Sequence, residues 1–582
     1  MPEERETLLE VRDLTKRFGT HVALDRVSFT LQRGKLNGIA GPDGAGKTTL
    51  IRILTGLMHA DSGEIRLDGV PLAEAAARQG FIGYMPQKFG LYEDLSVLEN
   101  LRLYAALNGV PKAGEPEVFA EMLRFTGLAR FTGRAAGRLS GGMKQKLGLA
   151  CSLLGKPKLL LLDEPGVGVD PISRRELLAM VEKLMEGGMT VLWSTAYLDE
   201  AERCGRVLLL DESKKLFEGP PGELTGKLKG RVFLLSGIAD NRRRVLRRVL
   251  REPFVRDGVI QGGSVRFVTA PGLPAGEPET LARELGATLL PAAPRFEDAF
   301  IDILGGGPGG ESALAAGLAS RPDDGAVAVE ADNLTKRYGS FTAADAITFQ
   351  IRRGEIFGLL GPNGAGKSTT FKMMCGLAKP TSGRALVVGR ELGRAKGGVR
   401  RRIGYMAQKF SLYDGLSVRQ NLAFFSGIYG LSGRAQREKI REMVDIFGFG
   451  EILDANSGDI SLGHKQRLAL ACATMHGPDV LFLDEPTSGV SPITRREFWN
   501  HINGIVERGV TVMVTTHFMD EAEYCDRIAL IYRGRAIAVG TPDELKRSAA
   551  TETLPDPTME DAFIELVKRS DRAEEESEGG AS

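Results

Sequence analysis

Two glycine-rich stretches have the residue types and the spacing that bind phosphate groups. They read GPDGAGKTT from Gly41 and GPNGAGKST from Gly361, and each follows an apolar strand and opens a predicted helix. Glycines let backbone N–H groups approach phosphate oxygens, and a helix N-terminus adds a favourable potential for an anion. Lys47 and Lys367 complete the pattern G-x-x-x-x-G-K-[ST], so their ammonium groups are predicted to reach the β- and γ-phosphates of a nucleotide.

The same loops predict a magnesium site. The hydroxyls of Thr48 and Ser368 directly follow the two lysines, and a hydroxyl at this position binds Mg²⁺. A chance glycine-rich loop could explain one copy, but not two copies in the same strand-and-helix context. The predicted nucleotide-binding residues of the loops are Gly41, Pro42, Asp43, Gly44, Ala45, Gly46, Lys47, Thr48 and Thr49, and Gly361, Pro362, Asn363, Gly364, Ala365, Gly366, Lys367, Ser368 and Thr369.

An apolar strand that ends in Asp-Glu follows each loop. LLLLDE ends at Asp163 and Glu164, and VLFLDE ends at Asp484 and Glu485. An acidic residue at this strand end holds Mg²⁺ in phosphate-loop enzymes, which is the predicted role of the two aspartates. The glutamates are placed to orient or deprotonate the attacking water. The combination predicts hydrolysis of ATP with Mg²⁺.

These motifs occur twice because the chain contains an internal repeat. Lys47 recurs 320 residues later as Lys367, and IGYMPQKFGLYEDLSVLENL recurs as IGYMAQKFSLYDGLSVRQNL. Repeats at a fixed offset predict homologous domains. We therefore predict two α/β nucleotide-binding domains, at residues 1–228 and 327–548.

The remaining segments are predicted to connect or extend the two domains. Residues 229–304 contain strand-like pieces around a basic helical run and end in RFEDAFIDIL, which predicts a small α+β insert and an amphipathic "EDAF" helix. The basic run, Arg242–Arg251, is predicted to be a solvated helix face, with contact to anionic lipid as the alternative. Residues 305–326 are rich in glycine and predict a flexible linker. Residues 549–582 predict a second EDAF helix and an acidic tail.

The segment LSGGMKQKLGLA, Leu139–Ala150, resembles the signature motif of the ATP-binding cassette (ABC) family. The resemblance covers nearly the whole chain and is closest to the bacterial tandem ATP-binding subunits of ABC-2-type exporters, which have similar KFGLYEDLSVLENL and EDAF segments. It implies an α/β fold in which each of two P-loop NTPase domains has a RecA-like core and a helical signature subdomain, with the small α+β insert between them.

The resemblance also implies roles for residues outside the phosphate loops. Gln87 and Gln408 would be the Q-loop glutamines, which contact Mg²⁺ and a transmembrane partner. Phe18 and Tyr338 would stack on adenine, although ordinary core aromatics are the alternative. The implied signature residues that contact nucleotide are Ser140, Gly141, Gly142 and Gln145.

The two cassettes differ at three motif positions. In the second cassette Leu462 replaces the signature glycine Gly141, and Ser491 replaces Asp170, the D-loop aspartate. In the first cassette Ala196 replaces the switch histidine, which is His517 in the second. In the family, cassettes pair head to tail, so each ATP lies between the phosphate loop of one and the signature of the other. With this pairing, all three departures fall on the site of Lys47. They impair it, because a leucine crowds the phosphate and an alanine cannot donate a hydrogen bond.

This distribution predicts one competent and one impaired composite site. The site of Lys367 keeps His517 and receives the intact signature. The predicted catalytic residues are Glu485 and His517, together with Glu164, whose presence leaves slow turnover at the impaired site open.

The composition limits the kinds of partner. The 582 residues carry a formal net charge of +1, so no excess of positive charge draws the chain to nucleic acid. Apolar runs such as Leu159–Leu162 have strand length and fall far short of the ~20 residues that span a bilayer. The five cysteines are scattered, which predicts core thiols in a reducing compartment. Work at a membrane would therefore require spans from another chain.

The segment after each Q-loop glutamine predicts a docking surface for such a chain. It precedes a helix with a capping-box pattern, Ser96 with Glu99 and Ser417 with Gln420. The resemblance implies that this region grips a cytoplasmic helix of an ABC-2-type permease, whereas packing of the helical subdomain alone is the alternative. The matched apolar residues are Phe89, Leu91, Tyr92 and Leu95, and Phe410, Leu412, Tyr413 and Leu416.

The resulting hypothesis is a cytoplasmic ATPase subunit, peripheral on the inner face of the bacterial plasma membrane, with one chain per transporter. The exported compounds would be drugs or other small molecules, which the permease selects. A soluble tandem ATPase that acts on ribosomes is the alternative, but the broken signature and the glycine-rich linker argue against it. A tandem sugar importer subunit is disfavoured because the segments after the glutamines resemble those of exporters.

Overall fold

The computed structural model describes residues 7–76, 81–88, 90–273, 276–321, 324–391, 399–408 and 411–579 of the chain. The chain divides into two compact units. Unit 1 comprises Met1–Lys229 and Pro294–Ile303, and unit 2 comprises Gly230–Ala293 and Leu304–Ser582. Each unit contains one phosphate loop.

Unit 1 contains two β-sheets. One is antiparallel, with the order β2-β1-β4-β5, and the other has the order β10-β9-β3-β8-β7-β6. Strands β3, β7 and β8 of the larger sheet are parallel and buried along their whole length, as expected for strands covered on both faces. The strands are β1 (Thr7–Phe18), β2 (His21–Gln32), β3 (Leu36–Ala40), β4 (Ser62–Leu67), β5 (Val70–Pro71), β6 (Ile82–Met85), β7 (Leu159–Asp163), β8 (Thr190–Thr195), β9 (Arg206–Asp211) and β10 (Lys214–Gly219).

The helices of unit 1 form two groups. Helices α3, α4 and α5 enclose a separate apolar core that includes Leu101, Leu123 and Leu147. This group is the predicted helical subdomain, and the sheets carry the RecA-like core, so the predicted α/β fold is confirmed. The helices are α1 (Lys47–Leu54), α2 (Leu72–Ala76), α3 (Val97–Leu107), α4 (Glu115–Thr126), α5 (Gly141–Leu153), α6 (Pro171–Glu186), α7 (Leu198–Glu202) and α8 (Pro221–Gly226).

The insert, residues 230–293, is a small α+β element that belongs to unit 2. Its antiparallel sheet has the order β12-β13-β11-β14. The sheet buries Phe267 and Val265 together with Leu246 of its first helix. The elements are β11 (Val232–Ser236), α9 (Arg242–Val249), β12 (Val255–Gln261), β13 (Ser264–Thr269), α10 (Glu277–Glu284) and β14 (Thr288–Pro291).

The segment after the insert differs from the expected flexible linker. Helix α11 (Phe296–Ile303), the first EDAF helix, packs on α7 and α8 of unit 1 with Phe296 and Phe300 fully buried. Beyond it, the short helix α12 (Ala313–Ala316) lies in unit 2 with Leu314 buried. Arg321 donates to Asp479 Oδ1 at 2.9 Å. This glycine-rich segment is therefore packed against other residues of unit 2.

The rest of unit 2 repeats the architecture of unit 1. Its sheets have the orders β16-β15-β18-β19 and β20-β21-β22-β17-β23-β24. The strands are β15 (Val327–Tyr338), β16 (Phe341–Arg352), β17 (Ile356–Leu360), β18 (Ser382–Val387), β19 (Arg390–Glu391), β20 (Ile403–Met406), β21 (Val480–Asp484), β22 (Thr511–Thr516), β23 (Arg527–Tyr532) and β24 (Arg535–Gly540). The helices are α13 (Lys367–Met374), α14 (Val418–Ile428), α15 (Gly433–Phe447), α16 (Leu462–Thr474), α17 (Pro492–Glu507), α18 (Met519–Ala522), α19 (Pro542–Ala549) and α20 (Met559–Gly579).

Helix α20 is the second EDAF helix and extends further than the sequence pattern predicts. It packs on α18 and α19, with Phe563 fully buried. Its acidic continuation pairs with Arg533 of the β23–β24 turn, which lies 2.7 Å from Glu574 and 3.1 Å from Asp571. The segment whose composition predicted an acidic tail is thus helical as far as Gly579, and the opposite charge of Arg533 favours this helix.

Candidate nucleotide sites

Each phosphate loop joins a fully buried strand to a helix, in the context that its motif requires. Helix α1 begins at Lys47 and α13 begins at Lys367. Gly41 and Gly361 have φ values of 155° and 154°, and a Cβ atom on either would lie 2.2 or 2.0 Å from a backbone oxygen of the neighbouring strand. Only glycine allows this path of the chain, which turns the backbone around the phosphate position.

The two loop lysines are held inside their own loops. Lys47 Nζ donates to the carbonyl oxygens of Gly41 and Pro42 at 2.8 and 2.9 Å. Lys367 Nζ makes the corresponding bonds within its loop at 2.6 and 3.0 Å. Lys47 Nζ also lies 3.0 Å from Glu164 Oε1, so this buried ammonium has an anionic partner at the end of β7.

The residues predicted to hold Mg²⁺ in unit 1 fit a small cation. Thr48 Oγ1 donates to Asp163 Oδ1 at 3.1 Å, while Asp163 Oδ2 is buried and has no hydrogen-bond partner among the described residues. Burial raises the pKa of Asp163 to about 6, helped by the neighbouring Glu164. A buried carboxylate oxygen without a partner is costly, and a cation bound there would satisfy it.

The aspartate of unit 2 occupies the same strand end in a different local environment. Asp484 Oδ1 accepts a hydrogen bond from Thr515 Oγ1 at 2.5 Å. Burial raises the pKa of Asp484, although the Thr515 hydroxyl opposes the shift. The predicted partner Ser368 is the second residue of α13, so the oxygen donors here are of the same types as in unit 1.

The glutamates that follow the aspartates have the same strained backbone in both units. Glu164 and Glu485 have positive φ values of 50° and 47°, which non-glycine residues rarely adopt. Each carboxylate accepts a hydrogen bond from the predicted Q-loop side chain, from Gln87 at 2.6 Å and from Gln408 at 2.7 Å. Each Q-loop is therefore connected directly to the group predicted to orient water.

The surroundings of the two glutamates differ at the switch position. His517 Nδ1 lies 3.2 Å from Glu485 Oε2, and Ala196 at the matching position has no polar side-chain atom. Burial would raise the pKa of Glu485, but the nearby His517, together with Lys367 and the hydrogen bond from Gln408, lowers it below its ordinary value. The lower pKa keeps Glu485 ionised and able to accept a hydrogen bond from water at neutral pH.

The signature residues lie at the start of a helix in both units. Ser140 caps α5 and Ser461 caps α16, each accepting from a backbone N–H three residues later. Leu462 is the first residue of α16, so its side chain stands at the N-terminus where Gly141 has none. Gln145, predicted to contact nucleotide, is only 2% exposed and lies inside α5.

The predicted adenine-stacking rings are exposed at the ends of long strands. Phe18 ends β1 and is 47% exposed, and Tyr338 ends β15 and is 55% exposed. A lysine ammonium lies over each ring, Lys16 at 5.6 Å and Lys336 at 5.1 Å from the centroid. The alternative that these rings are core aromatics is wrong, because a core ring is covered on both faces.

The predicted docking loops present one exposed tyrosine each. Tyr92 is 57% exposed and Tyr413 is 50% exposed. Both predicted capping boxes are present, and they begin α3 and α14. The leucines of the set, Leu91, Leu95, Leu412 and Leu416, are half-buried, and Phe89 and Phe410 lie outside the described residues.

Buried asparagines hold these loops, and the sequence analysis missed them. Asn100 is fully buried in α3, and its amide accepts from Tyr92 N at 3.0 Å and donates to Tyr92 O at 3.0 Å. Asn421 does the same for Tyr413, at 2.9 and 3.2 Å. The signal was an asparagine repeated on the apolar face of both helices, in VLENL and VRQNL.

Comparisons with known proteins agree with this geometry. The model of the ABC transporter family matches residues 24–167 and 344–488. The "Probable multidrug ABC transporter ATP-binding protein YbhF" of Escherichia coli is 56% identical over 574 residues, covering 97% of this chain and 99% of the relative.

Other relatives match part of the chain. The "Nod factor export ATP-binding protein I" of Burkholderia orbicola is 42% identical over 37% of this chain and 71% of its own length. The "Daunorubicin/doxorubicin resistance ATP-binding protein DrrA" of Streptomyces peucetius is 40% identical over 39% of this chain and 69% of its own length. Among the described residues, no helix combines the length and the apolar character needed to cross a bilayer.

The chain has two phosphate loops, two Asp-Glu strand ends and a helical subdomain in each unit, and its similarity to a relative extends over 97% of its length. It therefore belongs to the ABC transporter family, as an ATP-hydrolysing subunit with two nucleotide-binding cassettes.

Proposed function

We propose that this chain energises a membrane exporter of drugs or other small compounds, acting on the inner face of the bacterial plasma membrane. The observation that carries the proposal is the loop from Gln87 to Tyr92. At one end Gln87 is bonded to Glu164, and at the other an exposed tyrosine is fixed by Asn100. The second cassette repeats the arrangement, so each loop can pass a change at the water-orienting glutamate to a surface that another chain can grip.

The proposed partner is a permease of the ABC-2 type, with one tandem chain per transporter. The relatives are named for multidrug transport, Nod factor export and resistance to daunorubicin and doxorubicin, which favours export. Ribosomal tandem ATPases usually join their halves by a long charged helical arm. The segment between the cassettes here contains a four-stranded sheet, and its described residues include no such arm. We therefore keep ribosome binding only as an outcome of the test.

We also propose that the two composite ATP sites are unequal. The site built on Lys367 has His517 beside Glu485 and, with head-to-tail pairing, receives Gly141 and Asp170 from the first cassette. The site built on Lys47 has Ala196 and receives Leu462 and Ser491. The support is the 3.2 Å contact of His517 with Glu485 and the position of Leu462 at a helix N-terminus.

The proposed mechanism at the Lys367 site follows from these groups. Backbone N–H groups of the loop, Lys367 and the trans signature stabilise charge on the γ-phosphate oxygens. Glu485 orients the attacking water and accepts its proton, while His517 donates to the γ-phosphate. Mg²⁺, held by Ser368 and Asp484, would neutralise part of the phosphate charge.

Replacing Tyr92 and Tyr413 together by alanine is expected to break the link to the permease. Both rings are at least half exposed, and aromatic side chains of this kind dominate interface energies. The measurement is affinity purification from detergent-solubilised membranes, read by mass spectrometry. The unchanged chain should retain polytopic membrane proteins near stoichiometry, and the double variant should lose most of them.

The matched control is Leu290→Ala, because Leu290 is also exposed, at 44%, but lies in the insert. It should retain the membrane proteins, and melting temperatures should show all variants folded. Recovery of ribosomal proteins without any membrane protein would refute the exporter in favour of the ribosomal ATPase.

A further inference from the structure

The basic helix of the insert has two sides. Arg244, Arg248 and Arg251 are exposed, as the sequence predicted, whereas Arg242 and Arg243 face the second cassette. Arg242 Nη2 donates to Asp526 Oδ1 at 2.9 Å and to the carbonyl oxygen of Cys525 at 2.7 Å. Arg243 Nη2 donates to Asp526 Oδ2 at 2.5 Å, and its side chain is only 6% exposed. Burial opposes the charge on Asp526, but Arg243 and Arg242 outweigh it and hold its pKa below the ordinary value.

A second ion pair joins the insert to α17. Arg496 Nε lies 3.1 Å from Asp257 Oδ2, and the two side chains are 7% and 5% exposed. Arg496 Nη1 also donates to Tyr524 Oη at 2.7 Å, and the Tyr524 ring stacks on Trp499 with centroids 4.6 Å apart. Buried charges are tolerated only when paired, so these contacts hold the insert against the second cassette.

Two segments that receive the insert, α17 and the turn after α18, lie next to nucleotide-site loops, and the turn is bonded to the start of β17. Helix α17 begins immediately after Ser491, at the D-loop position. Tyr524 and Asp526 follow α18, which begins two residues after His517. Asp526 Oδ2 also accepts from Ile356 N at 2.8 Å, at the start of the strand that ends at the phosphate loop.

The link from the insert to the switch histidine is continuous. Glu521 of α18 is 1% exposed and accepts from Thr516 Oγ1 at 2.7 Å, next to His517 in the chain. Phe518 stacks on the His517 ring at 4.4 Å. A displacement of Tyr524 would therefore move α18 and, through Glu521, the backbone that carries His517.

The first cassette keeps one group that receives the insert, with Arg175 at the position of Arg496, and lacks others. Gly205 stands at the position of Asp526 and cannot accept from an arginine side chain. The residues that hold Arg496 in place also differ, with Arg203 at the position of Tyr524 and Leu178 at the position of Trp499, whose ring stacks on Tyr524. The chain thus carries receptors for the insert on the cassette with the switch histidine.

We propose that the insert is a brace for the switch histidine of the second cassette, with Arg242, Arg243 and Asp257 as its positioning residues. These residues act through Asp526, Tyr524 and α18 and do not touch nucleotide. The inference rests on the proposed function, because the brace affects ATP turnover only if the Lys367 site performs most of that turnover.

The test compares Arg242→Ala/Arg243→Ala with the control Arg244→Ala in the full chain. Arg244 lies on the same helix but is 62% exposed and pairs with exposed Asp240. The double variant should lower kcat for ATP roughly tenfold, since small displacements of catalytic groups have effects of this size. KM for ATP should change less than about twofold, because the phosphate loop and Tyr338 are untouched. Arg244→Ala should match the unchanged chain.

Two further variants separate positioning from folding. Arg242→Lys/Arg243→Lys keeps both charges and should recover part of kcat, and Asp257→Asn keeps the shape of the second pair while weakening it. An unchanged kcat in both the alanine double variant and Asp257→Asn would overturn the brace. The brace would also be overturned if the folded fraction of each variant at the assay temperature fully explained its loss of kcat.

Failure of the proposed function would give a different result. In that case Glu164→Gln and Glu485→Gln would lower turnover equally, whatever the insert variants do. The insert variants alone decide whether the brace exists. The comparison of Glu164→Gln with Glu485→Gln alone decides whether the two ATP sites are unequal.

Discussion

Replacing Glu485 by glutamine is expected to lower kcat for ATP by about 10²–10³-fold, within the range for loss of a group that activates water. The change keeps the shape of the side chain but removes its negative charge. Glu485 is the carboxylate that His517 and Gln408 hold, and its lowered pKa keeps it ionised. The measurement is steady-state phosphate release, with nucleotide binding assayed separately.

The matched variant, Glu164→Gln, should lower kcat less than about twofold. Glu164 has the same backbone strain and the same glutamine partner, so both variants change these two features alike, while Glu164→Gln also removes the charge that pairs with Lys47. They differ in the rest of their sites, since Ala196 replaces the switch histidine beside Glu164. Equal losses in the two variants would contradict the proposal of unequal sites.

Replacing Gly142 by alanine is expected to lower kcat by roughly 10²-fold, because it disturbs the signature assigned to the Lys367 site. A Cβ atom there would lie 2.3 Å from Ser173 Oγ and 2.6 Å from Ser173 Cβ. Contacts this short force α5 and the start of α6 apart, and α6 begins directly after the D-loop residue Asp170. The measurement is kcat together with the melting temperature.

Gly463→Ala in the second signature is the control. A Cβ atom there would meet Thr494 at 3.6 Å, which is an ordinary van der Waals distance. This variant should keep kcat within about twofold, since its signature already carries Leu462. A large loss with Gly463→Ala, or none with Gly142→Ala, would argue against the assignment of the two signatures.

Local motifs were predictable from sequence because their chemistry depends on neighbours in the chain. The phosphate loops, the Asp-Glu strand ends and the capping boxes each lie within a few residues, and the structure places them at strand ends and helix starts as expected. The internal repeat strengthened these predictions, since each motif could be read twice.

The contacts that could not be predicted join residues far apart in the chain. Arg243 pairs with Asp526 across 283 residues, and Arg496 pairs with Asp257 across 239 residues. A run of arginines is usually solvated, so composition favoured the wrong environment for Arg242 and Arg243. The glycine-rich stretch after the insert misled in the same way, because Leu314 and Arg321 find partners in unit 2.

The central claim is that the Lys367 site performs the turnover, and trapping ADP with vanadate during hydrolysis tests it most directly. The trapped nucleotide would carry a photoreactive azide on adenine, and peptide mapping would locate the label near Phe18 or near Tyr338. The account predicts that most of the label lies in the second cassette, near Tyr338. Equal labelling of the two cassettes would contradict it, because a site that does not hydrolyse ATP cannot form the trapped state.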